Sequence, residues 1–431
     1  ALLGAFAQAF RTPDLRRKLL FTLFIMAAFR LGSFIPTPGV DSQAVQRCMA
    51  QESQASLLDL VNLFSGGALL QLSIFALGIM PYITASIIIQ LLRVVIPRFD
   101  DLHKEGQTGQ TKLTQYTRYL TIFLGILQST TMISLARSGN LFAGCSEKVI
   151  PSNSVWTFLL MMIVMTAGTG VIMWLGELIT ERGIGNGMSL LIFTSITARM
   201  PSQLLTIGQS GKWGAVFAII GLMLLVSIVV VYLEQAQRRI PVQYAKRMIG
   251  RRQYGGTTTY IPLKINMSGV IPVIFASSLL AFPPMLAQFG SQDSKWVQWI
   301  SANFHQDAWP YLTTYALLTL FFTFFYTAIT FDPDEVADNM KRYGGFIPGY
   351  RAGRPTAEFL RYVMNRITTA GALYLVIVAL IPSLAIIPLH ISQGQMPFGG
   401  TTLLIIIGVG LQTVKEINTQ LQQHHYEGFL R

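Results

Sequence analysis

Charge is what this 431-residue chain has least of: 12% of its residues are Asp, Glu, Lys or Arg, against 52% that are hydrophobic. An average soluble domain carries about 25% charged residues, so an ordinary soluble fold is excluded. Two cysteines, Cys48 and Cys145, are too few for a disulfide scaffold. Five histidines, His103, His305, His390, His424 and His425, make no zinc-spaced cluster with them, and the adjacent tail pair reads as a solvated end. No Ser/His/Asp grouping stands out, so neither enzymatic activity nor a cofactor is expected. GIGNG at Gly183 follows one helical segment and precedes an apolar run. It therefore reads as a turn and not as a phosphate loop. Carboxylates are missing from the centres of the apolar blocks, where ion-coupled transporters usually keep ionisable residues.

What is abundant is apolar sequence in long blocks. A bilayer core about 30 Å thick needs roughly 20 helical residues. Ten blocks can span it: approximately 19–37, 68–96, 118–136, 155–176, 184–206, 213–233, 266–288, 309–331, 367–389 and 399–415. They are too long, and alternate too little, for strands of a membrane barrel. The N-terminal stretch shows no short apolar core with a small-residue cleavage site, so insertion is expected to rely on the first span.

Charge placement gives an orientation. With loops assigned alternately, 24 of the 32 basic residues fall on one side and six on the other, while Arg30 and Arg93 lie in or near spans. The positive-inside rule makes the basic side cytoplasmic, with both termini there. Cys48 and Cys145 then lie on the far side, where a bond requires an oxidising compartment and two loops that meet. Arg30 either snorkels to the interface or pairs across helices. Gln90, Gln128 and Asn266 fall within spans, where ordinary interhelical hydrogen bonding is their simplest role.

Three segments stand out beyond the spans. Two cytoplasmic loops, about 234–265 and 332–366, are long and basic. The first carries RRIPVQYAKR and RRQYGG, with Tyr244, Tyr254 and Tyr260 among the arginines. Such a surface suits an anionic partner such as ribosomal RNA or an acidic protein, although basic loops also serve only to fix topology. The second carries DNMKRYGGFIPGYRAGRP, whose Gly and Pro residues rule out one continuous helix and predict a fixed, irregular loop. On the far side, Leu57, Leu60, Val61 and Phe64 recur at helical spacing over about ten residues before Gly66-Gly67. That is too short to span. It reads as a re-entrant half-helix, or else as an amphipathic helix on the outer surface.

The chain also echoes itself. GIMPYITASIII from Gly78 and GVIPVIFASSLL from Gly269 share Gly, Pro, Ile, Ala and Ser at matching positions. Short apolar stretches draw on few residue types, so chance remains open on this match alone. The copies fall in the second and seventh blocks, and the charge pattern gives them opposite directions. That is the signature of two inverted halves with the working site between them. Two function classes remain: a passive conduit driven by a partner, and an ion-coupled secondary transporter with inverted repeats. The large basic loops and the carboxylate-free spans favour the conduit.

At the level of motifs the chain resembles the SecY family of protein-export channels. The matching stretches are FIPTPGVD, NLFSGGALLQLSIFALGIMPYITASIIIQLL, ERGIGNGMSLLIF, RRIPVQYAKR, TYIPLKINMSGVIPVIFASSLL, IPGYRAGRPT and FGGTTLLIIIGV. They cover nearly the whole chain in order. The resemblance implies an all-α polytopic membrane protein with ten transmembrane helices in two inverted, pseudo-symmetric halves, 1–206 and 207–431. It implies a pore ring of Ile79, Ile83, Ile192, Ile274 and Ile405, where a narrow apolar constriction seals by dewetting. It makes the segment around 56–70, with Leu57, Leu60, Val61, Phe64, Ser65, Gly66 and Gly67, a plug. Spans two and three would face spans seven and eight at a lateral gate, with Gln90, Gln128 and Asn266 as its polar contacts. Arg251, Arg252 and Arg351 would dock the ribosome or the SecA ATPase. The implied partners are SecE, SecG, SecA, the ribosome, signal peptides and nascent chains, membrane lipids and a YidC-type insertase. The implied location is the bacterial inner membrane, with a thylakoid membrane as the alternative.

Overall fold

The computed structural model describes residues 7, 10–41, 43–45, 72–104, 107–138, 150–151, 154–209, 213–244, 247–249, 252–254, 258–265, 271–280, 283, 295–296, 299, 309–389 and 400–429. Within them the chain forms helices α1 Pro13–Gly32, α2 Met80–Val95, α3 Pro97–Lys104, α4 Gln107–Ser138, α5 Val155–Arg182, α6 Gly187–Gln209 and α7 Trp213–Gln235. Strands β1 Gln237–Tyr244, β2 Arg247–Ile249, β3 Arg252–Tyr254 and β4 Thr258–Lys264 follow. Helices α8 Ile271–Leu280, α9 Trp309–Thr330 and α10 Pro333–Arg342 precede β5 Gly345–Phe346, and α11 Arg354–Leu389 and α12 Gly400–Phe429 complete the order.

Each of the ten apolar blocks carries one of these helices. Among the described residues, α5, α7 and α9 are long and apolar enough to cross a membrane by length and composition alone. Each of the three opens on an exposed tryptophan: Trp156, Trp213 and Trp309. On α7 the exposed Tyr232 follows Trp213 by 19 residues, about 28 Å of helix. Aromatic rings a hydrocarbon thickness apart mark the two interfaces of a bilayer. The face between them is apolar and open, with Phe217, Leu224, Leu225 and Ile228 all exposed. Such a face suits lipid, not water.

The second block departs from the sequence expectation. It was expected to be helical from residue 68, yet residues 74–79 form turns and α2 begins at Met80. Gly78 has φ +58° and Leu72 has φ +51°, both outside helical geometry. Pro81 then stands in the first turn of α2, where its missing N–H costs nothing. The stretch before α2 is tied to the chain leaving α1. Ser73 bridges Pro36, Ile74 N–H donates to the Ile35 carbonyl at 2.9 Å, and Thr37 N–H donates to the Leu72 carbonyl at 3.1 Å. Phe75 stacks on Phe29 of α1 with ring centroids 5.9 Å apart.

GIGNG is the turn that the sequence predicts. Gly187 N–H donates to Thr180 Oγ1 at 2.9 Å, and Met188 N–H to Asn186 Oδ1 at 3.1 Å, capping α6. The buried Ile184 N–H donates to Thr22 Oγ1 of α1 at 3.1 Å, so one hydroxyl joins α1 to the α5–α6 corner.

The two basic loops are not merely connectors. β1 pairs antiparallel with β4, in a register that sets Ile240 opposite Ile261, and with the short β5, giving the order β4-β1-β5. A second core packs Ile240, Val242 and Leu263 of this sheet against Met340 of α10, Ile347, and Leu360, Val363 and Met364 of α11. The expected irregular loop at 332–366 is thus irregular only at Tyr343–Gly344 and from Ile347 to Gly353. Asp332 caps α10, which carries Asp334 and Glu335 in its first turn and Lys341 and Arg342 in its last, as the helix dipole favours. α11 starts 13 residues before the apolar block it carries. Its extension buries Ala357, Leu360, Val363 and Met364 at helical spacing.

Replacing Thr22 by Val keeps the side-chain shape but strands the Ile184 N–H. The expected cost is about 1–3 kcal/mol, seen as a lowered midpoint of thermal unfolding in detergent. An unchanged midpoint would mean that the corner is held elsewhere.

Candidate functional site

The two copies of the internal repeat become α2 and α8, and these helices pack against each other. Pro81 and Pro272 each stand as the second residue of their helix. The shared isoleucines Ile83 and Ile274 are fully buried. Ile79, at the N-cap of α2, lies one turn before Ile83. Ile192 of α6 and Ile405 of α12 are fully buried as well, and all five isoleucines belong to one apolar cluster. α12 touches both α6 and α8, so the helices that supply these residues form a connected set. Full burial of each side chain is worth about 1.5–3 kcal/mol, which favours a closed, dry arrangement of these residues.

Three hydroxyls beside this cluster are satisfied within their own helices. Thr84 Oγ1 donates to the Met80 carbonyl, Ser195 Oγ to Leu191 and Ser277 Oγ to Val273, each four residues back. A hydroxyl bonded in this way does not compete for water. Gln128 on α4 is buried and Gln90 on α2 half-buried; Gln128 Nε2 and Gln90 Oε1 make no hydrogen bond among the described residues. α2 packs on α4, and α8 packs on α9. The second contact is aromatic: Phe275, beside Ile274, meets Phe322 edge-on at 5.6 Å and Tyr326 at 6.4 Å. Sequence reasoning missed this pair; its one signal was the run of phenylalanines at 321–325. Asn266 lies outside the described residues, as do Leu57, Leu60, Val61, Phe64, Ser65, Gly66 and Gly67.

Two of the three candidate docking residues lie in described parts of the basic loops. Arg252 is in β3, which pairs with β2 as a hairpin, while Arg251 lies outside the described residues. Arg351 is exposed in the turn between β5 and α11. That turn is fixed from several directions. Tyr350 stacks on Phe359 with centroids 4.2 Å apart, and Tyr350 N–H donates to the Ile347 carbonyl at 3.0 Å. Thr356 Oγ1 donates to the Arg351 carbonyl itself. Gly349 (φ +89°) and Gly353 (φ +100°) adopt left-handed backbone on either side of it. An L side chain at either position would be strained. The result is a guanidinium held out on a rigid base.

Two further groups were not foreseen. Arg118 and Glu177 form a bidentate pair across α4 and α5. At the end of α7 and the middle of α12, Lys415 Nζ donates to the Glu234 carbonyl at 3.4 Å, and Tyr374 Oη of α11 donates to Glu234 Oε1 at 3.4 Å. Nothing local signals these contacts, because the partners are 59, 181 and 140 residues apart. Among the described residues no group of three or more His, Cys, Asp and Glu could hold a metal ion.

Gly353→Ala should strain the Arg351 turn by about 1 kcal/mol. Hydrogen exchange should then quicken at the amides of Tyr350 and Ala357, with the transmembrane helices unaffected. Unaltered exchange would show that the stack alone fixes the turn.

With this geometry in view, comparisons with known proteins give a consistent answer. The SecY family profile matches residues 73–414. The protein translocase subunit SecY of Streptomyces scabiei is 60% identical over 438 aligned positions, covering all of both chains. Among solved structures, a protein-conducting channel superposes with a TM-score of 0.62 at 18% identity, covering 93% of this chain and 91% of that one. The channel of a canine ribosome–channel complex from the endoplasmic reticulum superposes with a TM-score of 0.58 at 16% identity, with the same coverage. These are translocase and channel proteins, which does not favour the ion-coupled transporter alternative. The mainly helical fold, the order of motifs and the full-length match agree: the chain belongs to the SecY family of protein translocase subunits.

Proposed function

We propose that this chain forms a protein-conducting channel. It passes unfolded secretory polypeptides across the membrane and releases transmembrane segments sideways into lipid. The observation that carries this reading is the full burial of Ile79, Ile83, Ile192, Ile274 and Ile405 in the main apolar core, on four helices that form a connected set. In the proposed channel these five are the pore ring. A constriction lined only by aliphatic side chains excludes water and ions, yet yields to a polypeptide because no bond within it must be broken.

The ten helix-bearing blocks are ten spans, in inverted halves 1–206 and 207–431, with both termini cytoplasmic. Residues 56–70 form a plug on the outer side of the ring. The lateral gate runs between α2 and α4 on one edge and α8 and α9 on the other, and Gln90, Gln128 and Asn266 give it polar contacts. The packing of α2 on α8 supports this placement, because parting those two helices would open the ring to lipid. Arg251, Arg252 and Arg351 dock the ribosome or the SecA ATPase, which supplies the driving force that this chain does not. SecE and SecG complete the channel; signal peptides, nascent chains and a YidC-type insertase engage it. The membrane is the bacterial inner membrane.

Replacing both Ile83 and Ile274 by Gly should raise ion leakage in planar bilayers several-fold; unchanged conductance would remove these residues from the seal. Arg351→Glu should block SecA-driven export while the chain still inserts and folds. Normal export by that variant would take Arg351 out of the docking surface.

A further inference from the structure

Arg118 of α4 and Glu177 of α5 meet through two parallel bonds: Nε donates to Oε1 at 2.9 Å and Nη2 to Oε2 at 2.7 Å. The pair lines an open cavity of about 380 Å³, whose other walls are Met173, Trp174, Leu178 and Glu181. Three observations put this cavity at the inner edge of the hydrocarbon. α4 reads QTGQTKLTQYT before Arg118 and YLTIFLGIL after it, while α5 is apolar up to Gly176 and charged from Glu177 onward. Tyr119 is 70% exposed and Trp174 is 57% exposed, as rings at a lipid–water border are. Glu177 follows Trp156 by 21 residues, about 30 Å of helix and one hydrocarbon thickness.

The charge of the cavity selects its ligand. Arg118 is the single cation among the lining residues, and Glu177 engages only two of its five N–H donors. Glu181, one turn beyond Glu177 on the same face of α5, acts on the guanidinium through space without bonding to it. One guanidinium against two carboxylates leaves one negative charge beside free N–H donors. We propose that this cavity binds the head group of a phospholipid that carries a primary ammonium. The ammonium sits between Glu177 and Glu181, the phosphate takes the remaining Arg118 N–H groups, and the acyl chains lie along Met173 and Trp174. A glycerol head group has no cation for the carboxylates. A choline head group has no N–H to donate to them. The inference goes beyond the channel reading; it needs α4 and α5 to lie in a bilayer, but not any particular set of pore residues.

The full chain in nanodiscs holding equal amounts of ethanolamine, choline and glycerol phospholipids, with matched acyl chains, tests this by native mass spectrometry of the co-retained lipid. The ethanolamine lipid should be retained in preference to the other two. Glu181→Gln leaves the Arg118–Glu177 pair in place and should lower that retention about tenfold, the loss of one charge-assisted bond. Glu181→Lys should turn the preference toward the glycerol lipid. Equal retention of the three lipids, or a preference untouched by both variants, would overturn the site. Soluble phosphoethanolamine binding as tightly as the lipid would overturn its assignment to a lipid.

Discussion

A polypeptide within hydrocarbon has no water to bond, so its backbone amides must find their partners inside the protein, and a hydroxyl gains by doing the same. That constraint shapes the interior of this chain. It makes the spans helical, and it turns Thr84, Thr121, Thr166, Ser195, Ser277 and Thr323 back onto carbonyls four residues earlier. It also explains why the irregular stretch before α2 is so closely tied. Residues 72–79 leave helical geometry, but Leu72, Ser73 and Ile74 bond to the chain after α1 through Ile35, Pro36 and Thr37, and Ala76 and Gly78 bond back to Ser73 and Phe75. Because of that tie, α2 can begin inside the protein, and Ile79 and Ile83 can stand at its buried start.

The fold was legible wherever composition and periodicity speak for themselves. Ten apolar blocks carry helices, and the repeat picked out the two helices that touch. The failures have physical causes. The stretch LSIFALGI is as apolar as any span, and hydropathy cannot separate a buried turn from a buried helix. β1 buries Ile240 and Val242 in alternation, but arginines and a proline surround them. Its partner β4 lies some twenty residues on, and β5 is two residues long. The amphipathic start of α11 was hidden because its apolar residues answer to that sheet and not to lipid. Of the candidate site, the five isoleucines were legible as residues only through the resemblance; unaided, each is an ordinary core position. The Arg118–Glu177 pair was not legible at all, because nothing in either segment points to the other.

The sheet β4-β1-β5 and the main apolar core share one rod. α11 runs 36 residues without a break, about 54 Å at the helical rise. Its first turns pack on the sheet and anchor the Arg351 turn through Phe359 and Thr356. Farther along, Tyr374 bonds Glu234 of α7, and Lys415 of α12 reaches the same residue. Lys415 lies ten residues from Ile405 on that helix, about 15 Å. A hydrogen-bonded helix transmits displacement along its axis far better than a loop does. The Arg351 turn and the Glu234 junction are joined by one helix, and from that junction α12 leads to the isoleucine cluster. The described parts of the two basic loops form paired strands and a capped helix, and this folded base is what the start of α11 packs on.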